Sequence, residues 1–328
     1  MLVVTGGAGF IGSNLLARLE QETQAPLVAI DTLGKDEKWK NLRHRNLAEI
    51  VAPSHAFSFL NSHIDDIKAI FHLGAISTTT ETDADLVIEN NLTFSINLLE
   101  WCTIHRKQFI YASSAATYGD GNEGFEDNQQ VTALRKLLPL NVYGWSKHAF
   151  DLRIATRQEA YKPLPPQCVG LKFFNVYGPN EYHKGAQQSV VSHIFETLKT
   201  HSHARLFKSY HPHYQDGGQL RDFIWVDDCV DIMIWLYKNP QINGLFNVGT
   251  GKARSFLDLS NAVFQALNRP SKIKFIEMPE GLREKYQYYT QAQMSHLREV
   301  GYQKPFTSLE EGVKQYIQNY LLQSNPYR

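Results

Sequence analysis

The sequence predicts an α/β protein built on a doubly wound parallel sheet, with a smaller, interleaved carboxyl-terminal part. Short apolar runs that read as buried strands alternate with stretches of helical periodicity over the first half of the chain. The first run, Leu2-Val3-Val4-Thr5, leads into a turn with glycines at Gly6, Gly9 and Gly12 and then into a helix expected from near Ser13. The second run, Leu27 to Ile30, ends in Asp31, about 20 residues beyond the turn.

Each glycine answers a separate steric demand. One at the tight turn allows positive φ, one without a Cβ lets the backbone approach a pyrophosphate, and a third lets the helix pack on the strand with its amides aimed at the phosphates. Asp31 stands where an acid that reads the adenosine ribose is expected, so the opening segment reads as a dinucleotide site. The loop that follows carries Lys35 and Lys38. It is either a solvated loop or a place where Lys38 meets a 2′-phosphate, which would offset Asp31 and allow NADP; Asp31 alone favours NAD.

Length and charge narrow the class. The chain has 328 residues, enough for two domains of about 150 residues each. Its 33 basic residues balance 33 acidic ones, which disfavours nucleic acid as the main partner. Cys102, Cys168 and Cys229 lack paired spacing, arguing against disulfides and a zinc site. The pairs His201/His203 and His211/His213 have no carboxylate or cysteine at ligand spacing and read as surface loop, so no metal is expected. No apolar run is long enough to span a bilayer, and the first residues already belong to a strand, so a cytoplasmic protein is expected.

Farther along, Ile67 to Leu73 reads as a strand whose turn, Leu73-Gly74-Ala75-Ile76-Ser77, should pass the cofactor, because ligands in open parallel sheets lie at the strands' carboxyl ends. Asp85 to Leu99 has helical spacing, and its Asn90-Asn91 pair reads either as helix-start residues or as contacts to the neighbouring loop. The strand Phe109 to Ala112 leads to Ser113-Ser114, and Asn141 opens another helix. On that helix Tyr143 and Lys147 share one face at a spacing of four. A phenol is a poor base at neutral pH, but a neighbouring ammonium favours its phenolate. Ser114, at a strand end, can hydrogen-bond a substrate oxygen as its charge changes.

After the strand Val169 to Phe174 the texture becomes rich in His, Gln, Ser and Tyr, with helices at Ser189–Leu198 and Cys229–Tyr237 and a strand and turn over Gly244–Gly251. Residues 1–175 are therefore expected to form the dinucleotide domain, joined by part of 219–255, and 176–328 mainly the substrate-binding region.

The glycine turn, Ser114 with Ala-Ala-Thr-Tyr-Gly after it, Tyr143-xxx-Lys147 and FNVYGP together resemble the extended short-chain dehydrogenase/reductase family, with its Rossmann-like sheet. The runs YASSAATYG, LNVYGWSK, FFNVYGPNEYHKG, RDFIWVDD and KYQYYTQA narrow the resemblance to the ADP-L-glycero-D-manno-heptose 6-epimerases. The resemblance implies an NADP-dependent, redox-neutral inversion at C6 of an ADP-heptose through a 6-keto intermediate, in a homo-oligomer. By it, Tyr143 and Lys184 act as acid/bases and Lys147 orients the nicotinamide ribose and lowers the phenol's pKa. The cofactor should meet Phe10, Ile11, Asp31, Thr32, Lys38, Leu73 to Ser77, Asn90, Lys147, Val176 and Lys184. The nucleotide sugar should meet Ser114, Asn175, Ala186, His193, Phe207, Lys208, Ser209, Tyr210, Arg221 and Tyr286. Arg221 suits the diphosphate as a bidentate fork.

The sequence departs from the family at Leu73, where a glutamate is usual, at Ala186, where a serine is usual, and at Ala52-Pro53-Ser54, which lacks a lysine. The stretch from His211 to Gln219 also looks longer. Ala115 and Ala116 after Ser114 disfavour a dehydratase, which needs an acid there. A nucleotide-sugar 4-epimerase of the same fold is the main alternative, and a non-catalytic NADP-binding regulator a further one.

Overall fold

A computed structural model describes residues 1–283 and 286–328, the side chain of Leu282 apart. Lys285 of the KYQYYTQA run lies outside the described residues. Seven parallel strands form the central sheet: β1 (Leu2–Thr5), β2 (Leu27–Ile30), β3 (Glu49–Val51), β4 (Ala69–His72), β5 (Gln108–Ser114), β6 (Cys168–Phe173) and β7 (Gly244–Val248). Their order is β7-β6-β5-β4-β1-β2-β3. The chain builds outward from β1 to β3, then crosses to β4 on the other side. Loops leaving β1 and β4 therefore diverge and open a crevice at the strands' carboxyl ends.

Helices cover both faces of the sheet, which is why its central strands are apolar runs rather than alternating ones. On one face the Phe10–Glu22 and Val226–Lys238 helices bury Leu15, Leu16, Leu19, Val230 and Met233. On the other, Leu98, Leu99 and Phe150 pack from the Phe94–Ile104 and Val142–Glu159 helices. Among the buried polar residues that interrupt these strands are His72 in β4 and Lys172 in β6. Both belong to networks behind the crevice.

The second lobe is threaded through the first. Asn175–Tyr177 pairs with Phe223–Trp225, Ala204–Phe207 with Ile273–Ile276, and Leu220–Arg221 with Arg254–Ser255. Between these pairings the chain returns to the central sheet as β7. The lobe has its own core around Ile194, Phe195, Val263, Val313 and Tyr316.

Local differences from the sequence reading have simple causes. The first helix begins at Phe10 rather than near Ser13, because Gly9 is already extended and its carbonyl accepts from the Ser13 amide at 3.0 Å. The helix expected over Asp85–Leu99 runs from Ala84 to Ile104 with a π-helical stretch at Ile88–Thr93. The loop after Asp31 contains a 3-10 turn at Glu37–Asn41. No helix among the described residues is long and apolar enough to cross a membrane.

Gly6 has φ +68°, and a Cβ there would lie 2.6 Å from the Gly74 nitrogen; a Cβ on Gly12 would fall on the Gly6 carbonyl oxygen. Gly12→Ala is accordingly predicted to lower stability by about 1–3 kcal/mol, as overpacking does. Urea unfolding measures it, and an unchanged midpoint would mean that the turn relaxes freely.

Candidate functional site

The glycine turn leaves donors without acceptors. Gly9 caps the first helix with no side-chain acceptor, so the amides of the opening helical turn face the crevice. A Cβ on Gly9 would have a single close neighbour, the Gly6 carbonyl oxygen at 3.0 Å, with open space beyond. Such a cradle fits the pyrophosphate of a dinucleotide. Gly6, Gly9, Phe10, Ile11 and Gly12 line a cavity of about 560 Å³ with Asp31, Lys38, Leu73 to Ser77, Val176 and Lys184.

The 73–77 turn is held from behind by Asn91. Its Oδ1 accepts from the Ile76 amide at 2.8 Å, and its Nδ2 donates to the Ile76 carbonyl at 2.9 Å and to Ser146 Oγ at 3.1 Å. Asn90, expected at the cofactor, is exposed, lies outside this cavity's lining and donates to the Leu86 carbonyl. Helical phase explains the difference: Val87, Asn91, Ser95 and Leu98 form the buried stripe, and position 90 lies off it. The π-helical stretch passes through Asn91, and Ser95 bonds both the Asn91 carbonyl and His72. His72 also contacts Thr5 at 2.6 Å, and Thr5 Oγ1 accepts from the Gly74 amide. Burial, reinforced by Lys147, pushes the His72 pKa down to about 3, so it bridges as a neutral ring.

At the ribose end, Asp31 accepts from the Ala8 amide at 2.8 Å and from Lys38 Nζ at 2.6 Å. Lys38 also donates to the Thr32 carbonyl, while the Thr32 residue is exposed and outside the cavity lining. Sequence reasoning missed two residues here. Asn41 is buried and donates to the carbonyls of Ala8 and Asn180, joining the glycine turn to the segment that carries Lys184. His183 lines the cavity beside Lys38 and Lys184; burial and those two cations push its pKa down to about 4. Asn41 has no spacing that would mark it, and His183 stands beside Lys184 in the HKG run without a role of its own.

Ser114, Tyr143, Lys147 and Lys184 converge on this same cavity. The Asn141 side chain caps the Val142–Glu159 helix by accepting from the Gly144 amide, which sets the helix so that Tyr143 and Lys147 face Ser114. Burial raises the Tyr143 phenol, and the hydrogen bond with Ser114 opposes that rise. Lys147 Nζ donates to the Ala112 carbonyl at 2.8 Å. Lys147 is itself pushed down to about 8 by burial, against the pull of Asp151. Lys184 lies on the 3-10 turn Tyr182–Gln187 with its ammonium over the Phe10 ring, and burial lowers its pKa while Glu181 raises it.

A second cavity, of about 840 Å³, shares Ser114 and Tyr143 with the first and adds Asn175, Arg221 and Tyr286. Arg221 is 9% exposed, stacks on Phe256 and Tyr286, and has no carboxylate partner among the described residues. Tyr286 continues into a third cavity of about 350 Å³, lined by His193, Phe207 and Phe256. The Ala186 side chain is outside these linings, although its carbonyl contacts His193. Of the segment 207–210, Phe207 lines this third cavity. Lys208 and Tyr210 turn to Glu277, and Ser209 contacts His211 and Asp216 within its own loop. The extended stretch His211 to Gln219 stacks His211 and Tyr214 on Tyr288.

A cradle for a dinucleotide, joined at a serine and a tyrosine to a second cavity with an arginine that has no carboxylate partner among the described residues, defines a class. The chain belongs to the NAD dependent epimerase/dehydratase family, whose sequence pattern matches residues 2–249. Within that family it is 48% identical over 332 residues, covering 100% of both chains, to the ADP-L-glycero-D-manno-heptose-6-epimerase of Nitratidesulfovibrio vulgaris Hildenborough. The enzyme of the same name from Fusobacterium nucleatum is 46% identical over 335 residues, again covering 100% of both chains. The solved structure of the Helicobacter pylori ADP-L-glycero-D-manno-heptose-6-epimerase superposes with a TM-score of 0.78 at 28% identity, over 97% of this chain and 95% of that one.

Asn91→Ala removes the clamp on the 73–77 turn and is predicted to weaken dinucleotide binding about tenfold. Calorimetric titration reads this directly, and an unchanged Kd would mean that the turn holds itself.

Proposed function

We propose that this protein is an ADP-L-glycero-D-manno-heptose 6-epimerase, inverting C6 of ADP-D-glycero-D-manno-heptose. The observation that carries the reading is the convergence of Ser114, Tyr143 and Lys184 where a dinucleotide cradle meets a cavity holding an unpaired arginine. The bound nicotinamide supplies a place for a hydride to leave C6 and return. Tyr143 takes the C6 hydroxyl proton while Ser114 donates to the same oxygen, giving a 6-keto sugar. After rotation about the neighbouring bond the oxygen lies on the other side, within reach of Lys184. Two acid/bases on opposite walls suit a reaction in which one oxygen occupies two places. Arg221 is aimed at the diphosphate, with Tyr286 against it and the apolar cavity at Phe207 and Phe256 for the adenosine.

NADP is the dinucleotide in this reading, with Lys38 leaving Asp31 to meet the 2′-phosphate. The reading also carries a cytoplasmic homo-oligomer and the domain division 1–175 with part of 219–255, against the remainder of 176–328.

Incubation with ADP-D-glycero-D-manno-heptose, followed by NMR of the C6 configuration, is the direct test. No inversion, with turnover of a UDP-hexose instead, would sink the proposal in favour of a 4-epimerase. Tyr143→Phe is predicted to slow inversion by at least about a hundredfold with dinucleotide affinity unchanged; full activity would remove Tyr143 from its role. With Lys147 as an ammonium below about pH 8 and neutral above it, kcat/KM is predicted to fall as pH rises through that value. A profile flat across it would count against the Lys147 charge.

A further inference from the structure

Behind the pocket lies an ion pair that no step of this chemistry touches. Lys172 of β6 and Asp151 of the Val142–Glu159 helix meet at 3.0 Å with both side chains 0% exposed. A buried pair of this kind adds little to stability by itself, because desolvation offsets the attraction. Its connections suggest another use.

Asp151 accepts from Tyr111 OH at 3.0 Å and Ser113 Oγ at 2.7 Å, the residues on either side of Ala112. The Ala112 carbonyl is the acceptor for Lys147 Nζ, and Asp151 follows Lys147 by one helical turn. Lys172 donates to Thr117 Oγ1 at 2.5 Å, and Thr117 donates to the Ser114 carbonyl at 2.8 Å. The Lys172 ammonium also lies 4.7 Å from the centre of the Tyr118 ring. Each end of the pair thus reaches a different catalytic group.

We propose that Asp151 and Lys172 act as positioning residues: Asp151 is the fixed counter-charge behind Lys147, and Lys172 clamps the end of β5 that presents Ser114. The inference rests on the assignment of Lys147 and Ser114 to the active pocket. The groups facing the pair and Lys147 are His72 from β4, Tyr111 from β5, Tyr143 and His148 from the same helix, Tyr118 and Asp127 on the Lys172 side, and Lys184 across the cavity. Asp127 is a second anion on the Lys172 side, and Asp151 is the one that acts on Lys147. The shift of Lys147 agrees: Asp151 alone opposes the effect of burial on it.

The test reads Lys147 directly, by NMR titration of ¹³Cε-labelled lysine, with its signal assigned by loss in Lys147→Arg. Asp151→Asn is expected to move that titration at least about one pH unit lower, because it removes the anion and leaves Lys172 uncompensated. The double variant Asp151→Asn/Lys172→Met restores charge balance in the core and guards against failure of the single variant to fold. It is expected to show a smaller shift in the same direction, while Lys172→Arg, which keeps the charge, leaves the titration in place. An unmoved Lys147 in the folded double variant would overturn the proposal, leaving the pair a packing feature. Absence of heptose epimerisation in the unaltered protein, with these shifts intact, would count against the proposed substrate and not against the pair.

Discussion

Everything at the crevice depends on the close approach of three backbone segments at Gly6. Its positive φ turns the chain out of β1, and its lack of a Cβ lets it touch Gly74 at the end of β4. Gly12 presses against its carbonyl from the helix. With those contacts made, the amides at the helix start point at one spot and the 73–77 turn lies alongside. The Thr5, His72 and Ser95 chain then ties β1 and β4 to the π-helical stretch that carries Asn91.

The second organising feature is the distribution of charge. Lys38 and Lys172 have carboxylate partners, at Asp31 and Asp151. Lys147, Lys184 and Arg221 have none within ion-pair distance among the described residues, and burial lowers the pKa of all three. Desolvated cations gain most from an anionic or polar ligand that replaces their lost water. Their spread from the dinucleotide cradle to the neighbouring cavity suits a ligand with both a reacting hydroxyl and a phosphate chain.

Periodic features were legible from residues alone. Strand and helix alternation led to the parallel sheet, and the spacing of Tyr143 and Lys147 put both on one helix face. Legibility failed where direction mattered more than type. Asn90 and Asn91 are the same residue side by side, and only the phase of the buried stripe decides which reaches the loop. Lys208, Ser209 and Tyr210 have suitable chemistry for a nucleotide, yet the Lys208 and Tyr210 side chains bond Glu277 and the Ser209 hydroxyl donates to the His211 carbonyl.

By itself the sequence determined the parallel sheet, the dinucleotide turn and the family, because each depends on short-range spacing: glycines three apart, a phenol and a lysine one helical turn apart, apolar runs of strand length. Only the tertiary structure decided which cations stay unpaired among the described residues, which asparagine holds the 73–77 turn, and that Lys172 of β6 meets Asp151 behind the pocket. Those outcomes depend on which strands become neighbours when β1 turns at Gly6. No local pattern records them, since Lys172 meets Asp151 only after β5 and β6 have paired and the helix has docked across them.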